Sequence, residues 1–168
     1  PQAPVPGLAA RAQAWFDAAV EAERHGDTGC VAQYYRACVF AYAVLARPGT
    51  SPGEEARLRV LYNRGLSACL RSAAGQGWLD PRARLLIPIG EQPIVVPIEH
   101  RGFVWRLEDF SRLVPRDCIE RDPELQRPHL RPGIGAAEVI ERDARGDASD
   151  HFLAIRHPFP VTAVLIPD

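Results

Sequence analysis

From Leu8 to Gln76 apolar residues recur at steps of three and four. Beyond Pro81 they fall in short Ile- and Val-rich runs that proline interrupts. No single element satisfies both patterns: a period near 3.6 belongs to helices with one buried stripe, and short bounded runs belong to strands. The chain is therefore expected to be α+β, with helices segregated to its N-terminal half. The division falls at residues 1–80, a three-helix module, and 81–168, a small and mostly antiparallel β-rich segment.

The first helix is expected from about Leu8 to His25, with Leu8, Ala12, Trp15, Phe16, Ala19 and Val20 as its inner stripe. Gly26 stops it, and Asp27 can cap the next helix. The second helix runs from about Thr28 to Ala46 on Val31, Tyr34, Tyr35, Cys38, Tyr42 and Leu45. Its second half is apolar all round, which predicts a central helix covered on several sides. Ser51 and Glu54 have capping-box spacing with Pro52 at the first helical position. They open a third helix whose inner face is Leu58, Leu61, Tyr62, Gly65, Leu66, Cys69 and Ala73.

In the second half, Leu85–Ile89 and Ile94–Ile98, separated by Gly90-Glu91-Gln92-Pro93, read as a hairpin. Pro88, Pro93 and Pro97 point to edge strands or bulges, since proline donates nothing to a ladder. Phe103–Trp105, Ala137–Glu141 and Val161–Ile166 read as further strands, and Leu107–Leu113 as a helical turn. Residues 120–135 read as a long irregular loop and residues 142–150 as a polar, mobile one.

Charge excludes one class of partner. The formal net charge is −1, and the Arg-dense stretch from Arg101 to Arg131 is interleaved with Glu108, Asp109, Asp117, Glu120, Asp122 and Glu124. Such a chain presents no field for nucleic acid. All 20 basic residues are arginines, which fits a GC-rich bacterial genome. No apolar run approaches the ~18 residues of a spanning helix. Cys30 and Cys38 would lie about 12 Å apart along one helix, too far to bridge. With Cys69 and Cys118 they are expected to be free thiols. Export, which the sequence leaves open, would permit a bridge from Cys69 to a second-helix cysteine.

The motifs that carry chemistry elsewhere are incomplete here. Gly49-Thr50-Ser51-Pro52-Gly53 has the letters of a serine-hydrolase elbow. That chemistry needs a strand before the serine and an N–H donor after it, whereas a helix precedes Ser51 and Pro52 removes the donor. Ser149-Asp150-His151 are adjacent and cannot adopt triad geometry. His25, His100, His129, His151 and His157 have no Cys, Asp or Glu set completing a metal site. Gly133-Ile134-Gly135 lacks the strand and third glycine of a dinucleotide loop. No catalytic residue, metal or cofactor is expected. The candidate binding residues are Trp15 and Tyr35 on the helices and His100, Arg101, Phe103 and Trp105 in the densest aromatic–polar stretch, of a kind favoured at contact hot spots. Phe103 and Trp105 read equally as core residues on one strand face.

The first two helices resemble a tetratricopeptide repeat, without gaps, over about 30 residues. Trp15 stands at its first large anchor, Ala19 at the small crossing position, Gly26-Asp27 at the turn, Tyr35 at the next large position and Cys38 at the next small one. Val31, Ala43 and a late Pro48 depart from the pattern, and no second full repeat follows. The resemblance implies either a peptide groove beside Trp15 or Tyr35, or a helical hairpin packed on the β segment.

A second resemblance covers most of the chain. Leu79-Asp80-Pro81-Arg82, the run His100 to Phe110, Arg131 to Gly135 and Pro158 to Leu165 are similar to the N-terminal region of bacterial α/β-hydrolase-type lipases or esterases. It implies a non-catalytic accessory region whose partner is a downstream hydrolase domain, with serine, acid and histidine beyond Asp168. Pro1 in place of Met, and an end directly after an apolar strand, fit a piece of a longer chain. A free-standing interaction module with a protein or peptide partner is the alternative.

Overall fold

The computed structural model describes residues 7–80, 84–89, 92–97, 110–115, 135–142 and 158–164. Three helices come first: α1 (Leu8–Arg24), α2 (Cys30–Leu45) and α3 (Pro52–Gly75). Six strands follow: β1 (Leu79–Asp80), β2 (Arg84–Ile89), β3 (Gln92–Pro97), β4 (Phe110–Pro115), β5 (Ala136–Arg142) and β6 (Pro158–Ala163). The α+β order expected from the change of period is the observed one.

Local chemistry sets the helix ends. Gly26 and Gly77 both adopt φ near 70°, where a side chain would be strained. Each sits one position past a helix cap and lets the chain fold back: Asp27 N–H reaches Ala22 O at 2.9 Å and Trp78 N–H reaches Ala73 O at 2.9 Å. Asp27 accepts from Gly29 N–H at 2.8 Å, so it caps the turn leading into α2 and leaves Gly29 at the helix boundary itself. Ser51 Oγ accepts from Glu54 N–H at 3.3 Å with Pro52 opening α3, as the capping spacing predicts.

Helix α2 lies between α1 and α3 and runs opposite to both. Arg11 meets Phe40, Phe16 meets Tyr34 and Glu23 also meets Tyr34, so contacts climb α1 as they descend α2. Close approach depends on small residues: Ala12, Ala19, Ala37 and Ala41 are all fully buried. At the α2–α3 crossing a Cβ on Gly65 would stand 3.1 Å from Cys38 Sγ. Phe16 and Tyr34 fill the space beside it edge to face, with ring centroids 5.7 Å apart. Every residue expected on the inner face of α3 is buried.

The strands form two antiparallel three-stranded sheets, β1-β2-β3 and β4-β5-β6. The hairpin is tighter than its sequence suggests, because Gln92 and Pro93 belong to β3 and pair with Ile89 and Pro88. Parity explains how the prolines fit. Leu86 N–H turns away from β3 and donates to Trp78 O at 3.3 Å. Leu86 therefore forms a non-hydrogen-bonded pair with Val95, and Arg84↔Pro97 and Pro88↔Pro93 share that parity. None of the three prolines removes a bond from the β2–β3 ladder.

Two expectations in the second sheet are corrected. Residues expected as a helical turn, 107–113, enter strand β4 from Phe110 onward, where Leu113 and Val114 pair with Ile140 and Val139. The pairing shifts register between Phe110 and Arg112. The last strand starts at Pro158 and not Val161. Pro158 and Pro160 share one parity on β6, which lies at the edge of the described sheet, where proline is commonly found. Residues Phe103 to Trp105, 120–134 and 143–150 lie outside the described residues.

Both sheets join the helical core. Ile87 of β2 is fully buried in it, as is Ala136 at the start of β5. Gly135, at φ 145°, donates its N–H to Asn63 Oδ1 of α3 at 2.7 Å and ties the second sheet to that helix. On the opposite face of the hairpin Leu86 and Val95 stay exposed. Truncating Ile87→Ala is expected to cost about 2–5 kcal/mol, whereas Val95→Ala should change stability by about 0.5 kcal/mol or less. Urea unfolding of the two variants tests this, and equal losses would mean that the hairpin does not dock through Ile87.

Candidate functional site

Two features stand out in the polar chemistry of the helical module, a satisfied cluster and a face whose arginines have no acid beside them; a third Arg–aromatic stack, Arg64 over Phe16 at 5.4 Å, lies apart from both. The cluster centres on Glu23. Its Oε2 accepts from the Tyr34 hydroxyl at 2.6 Å; its Oε1 accepts from Arg71 at 3.0 Å and from Ser72 Oγ at 3.2 Å. One carboxylate thus binds all three helices. Burial alone would raise its pKa, but the hydrogen bonds from Tyr34 and Arg71 outweigh that and hold it below the usual carboxylate value. Burial, and then the hydrogen bond to the Glu23 carboxylate, push the Tyr34 hydroxyl well up.

The cysteines are inert by the same physics. Cys30, Cys38 and Cys69 are buried free thiols. Burial pushes all three up, Cys69 to about 12, because an apolar interior disfavours a thiolate. Cys38 Sγ points at Tyr62 O and Cys69 Sγ at Val31 O, 3.7 and 3.6 Å away, so both serve the α2–α3 seam. Cys118 lies outside the described residues.

The unsatisfied face lies along α1 and α2. Arg36 of α2 stacks over the Trp15 ring of α1 at 4.7 Å, and Arg11 of α1 stacks over the Phe40 ring of α2 at 5.3 Å. Each helix thus contributes one arginine and one aromatic, four residues apart, and the two pairs cross the seam in opposite senses. The side chains that neighbour a helical residue stand three and four positions away. Those positions hold no acid for Arg11, Trp15, Arg36 or Phe40. The ion pairs among the described residues engage Arg24, His25, Arg59 and Arg71, and none engages Arg11 or Arg36. Trp15 and Phe40 are half-buried, so each ring both packs on the core and supports a guanidinium at the surface. One turn before Arg36, Gln33 Oε1 is buried without a hydrogen-bond partner.

Trp15 therefore lies on this face. Tyr35 does not, since it follows the stripe of Val31 and Cys38 that turns to α3. His100, Arg101, Phe103 and Trp105 lie outside the described residues. Sequence reasoning passed over Arg11, Arg36 and Phe40, although the matching Arg-x-x-x-Trp and Arg-x-x-x-Phe spacings were there to read. It also passed over the Glu23 cluster, whose members are up to 49 positions apart. Ser51 Oγ is committed to its helix cap. Among the described residues no group of three or more His, Cys, Asp or Glu could hold a metal ion, and no helix is long and apolar enough to cross a membrane.

No family model, curated protein or solved structure matches this chain at a significant level.

The Glu23 cluster has a defined pH signature. A carboxylate whose pKa is lowered by folding contributes stability above its unfolded pKa, and that contribution is lost as pH falls through the folded value. Glu23→Gln is expected to cost about 1–2 kcal/mol at neutral pH, a modest figure because solvent reaches part of the cluster. The gap between wild type and variant should close below the usual carboxylate range. Denaturation series between acid and neutral pH measure it, and a gap independent of pH would mean that Glu23 contributes through shape and not charge.

Proposed function

We propose that this chain is a non-catalytic interaction region that docks a protein segment on the α1–α2 face. The observation that supports it is the pair of crossed Arg–aromatic stacks. Arg and Trp are favoured where binding energy concentrates, and stacking limits the freedom that a guanidinium would lose on binding. Two other polar groups of the helical module do structural work: Glu23 joins the helices and Ser51 caps α3. Trp15→Ala tests the reading. Peptides selected from a random displayed library against the full chain should lose at least tenfold in affinity for this variant, measured by fluorescence anisotropy. Binders indifferent to residue 15 would move the docking surface elsewhere.

A second reading, the front region of a bacterial lipase- or esterase-like protein, draws support from the hairpin. Leu86, Pro88, Pro93 and Val95 present an exposed apolar face of the kind a neighbouring domain covers. On this reading catalysis belongs to the downstream domain. The isolated chain should not hydrolyse p-nitrophenyl acetate above the buffer rate. Ser51→Ala should instead lower the melting temperature by roughly 2–4 °C, the equivalent of about 1 kcal/mol for a lost helix cap. Turnover that disappears in Ser51→Ala would make the chain an esterase in its own right.

A further inference from the structure

The α1–α2 face specifies the chemistry of what it binds, an inference that rests on the docking role proposed above. We infer that the partner is an acidic protein segment, whose carboxylates pair with Arg11 and Arg36 while its apolar side chains lie against Trp15, Phe40 and the alanines between them.

The argument begins with charge. Arg11 and Arg36 are held against ring faces at 5.3 and 4.7 Å, and neither has a carboxylate partner among the described residues. On a helical surface an arginine can pair with an acid three or four residues away. Arg59 pairs in this way with Glu55 and Arg24 with Glu21, each on its own helix, whereas Arg64 of α3, like Arg11 and Arg36, stacks on a ring, that of Phe16 at 5.4 Å. On this face Arg11 is flanked at those positions by Gly7, Leu8, Ala14 and Trp15, and Arg36 by Ala32, Gln33, Val39 and Phe40. Two cations with no local anion make a surface complementary to carboxylates, and a guanidinium fork donates two parallel hydrogen bonds to one carboxylate.

Spacing narrows the choice. The Arg11–Phe40 and Trp15–Arg36 pairs are one helical turn apart, about 6 Å along the axis. Alternate side chains of an extended peptide lie about 6.6 Å apart. Acids two residues apart on an extended segment, or four apart on a helix, match that step. The apolar part of the face is small: two half-buried rings and short alanine side chains, among them Ala14 and Ala18. That suits side chains of peptide size. A polyanion reads differently, since nucleic acid and anionic membranes call for a broad positive field, and the chain carries a net charge of −1.

The test uses the full chain. A phage library of random ten-residue peptides is panned against wild type, with counter-selection on the double variant Arg11→Gln/Arg36→Gln. Unchanged circular dichroism and melting temperature serve as the folding control for that variant. The expected result is enrichment of Asp and Glu at positions two or four apart. Synthetic copies should bind wild type at least tenfold more tightly than the double variant, and should weaken several-fold between 50 and 500 mM NaCl. Arg36→Lys, which keeps the charge and loses the planar fork, should recover only part of the affinity. Recovered peptides without acids that still lose binding in Trp15→Ala would overturn the acidic partner and leave the docking face standing. Peptides indifferent to Trp15, Arg11 and Arg36, or no recovered peptides, would overturn both. Binding to vesicles of three parts phosphatidylcholine to one part phosphatidylserine that depends on both arginines would overturn the peptide partner in favour of a membrane surface.

Discussion

Helix α2 offers one charged side chain, Arg36, in sixteen residues. A segment of that composition cannot stand at the surface of a module, and the rest of the helical structure follows from covering it. Helix α1 covers one side through Ala12, Phe16 and Ala19, and α3 covers another through Leu58, Tyr62, Gly65 and Cys69. Because both neighbours must approach closely, their contact positions are small or flat. The strands complete the cover by placing Ile87 and Ala136 in the same core. Arg36 and Phe40 are among the α2 residues left half-buried, and the candidate interaction face lies there.

The helices were legible because their signals are local. Capping spacing at Ser51, glycines at Gly26 and Gly77, and stripes at three- and four-residue steps all act within a few residues of themselves. The burial of the α3 stripe could be read in advance for the same reason. The strands were harder. Leu107–Leu113 has an apolar spacing compatible with a helical turn, and only pairing with Ala136–Arg142, far along the chain, makes its second half extended. Pro88, Pro93 and Pro97 pointed to edge strands or bulges, but what decides their tolerance is which side of the ladder each faces. That side is fixed by register with another strand.

The candidate site was half legible. Trp15 was identified as a large anchor; its partner Arg36 was not, because the stack crosses between helices. Glu23 looked like one acid among many in α1. Its importance comes from Tyr34, Arg71 and Ser72 meeting it in space. The two groupings use charge differently. Around Glu23 every charge is answered within the fold, which locks the helices together. On the α1–α2 face the cations Arg11 and Arg36 stack on rings, and no ion pair among the described residues engages them.

The parity of the hairpin prolines has one more consequence. Strand β3 is an edge of its sheet, and the backbone groups at positions 93, 95 and 97 face outward. Two of those three are prolines, so Val95 alone can donate a hydrogen bond from that rim. A second copy of the strand, or a misfolded neighbour, would find the rim's carbonyls but a single donor. The hairpin can therefore show Leu86 and Val95 to solvent while offering a poor template for cross-β growth: its surface is greasy, but its rim is short of donors.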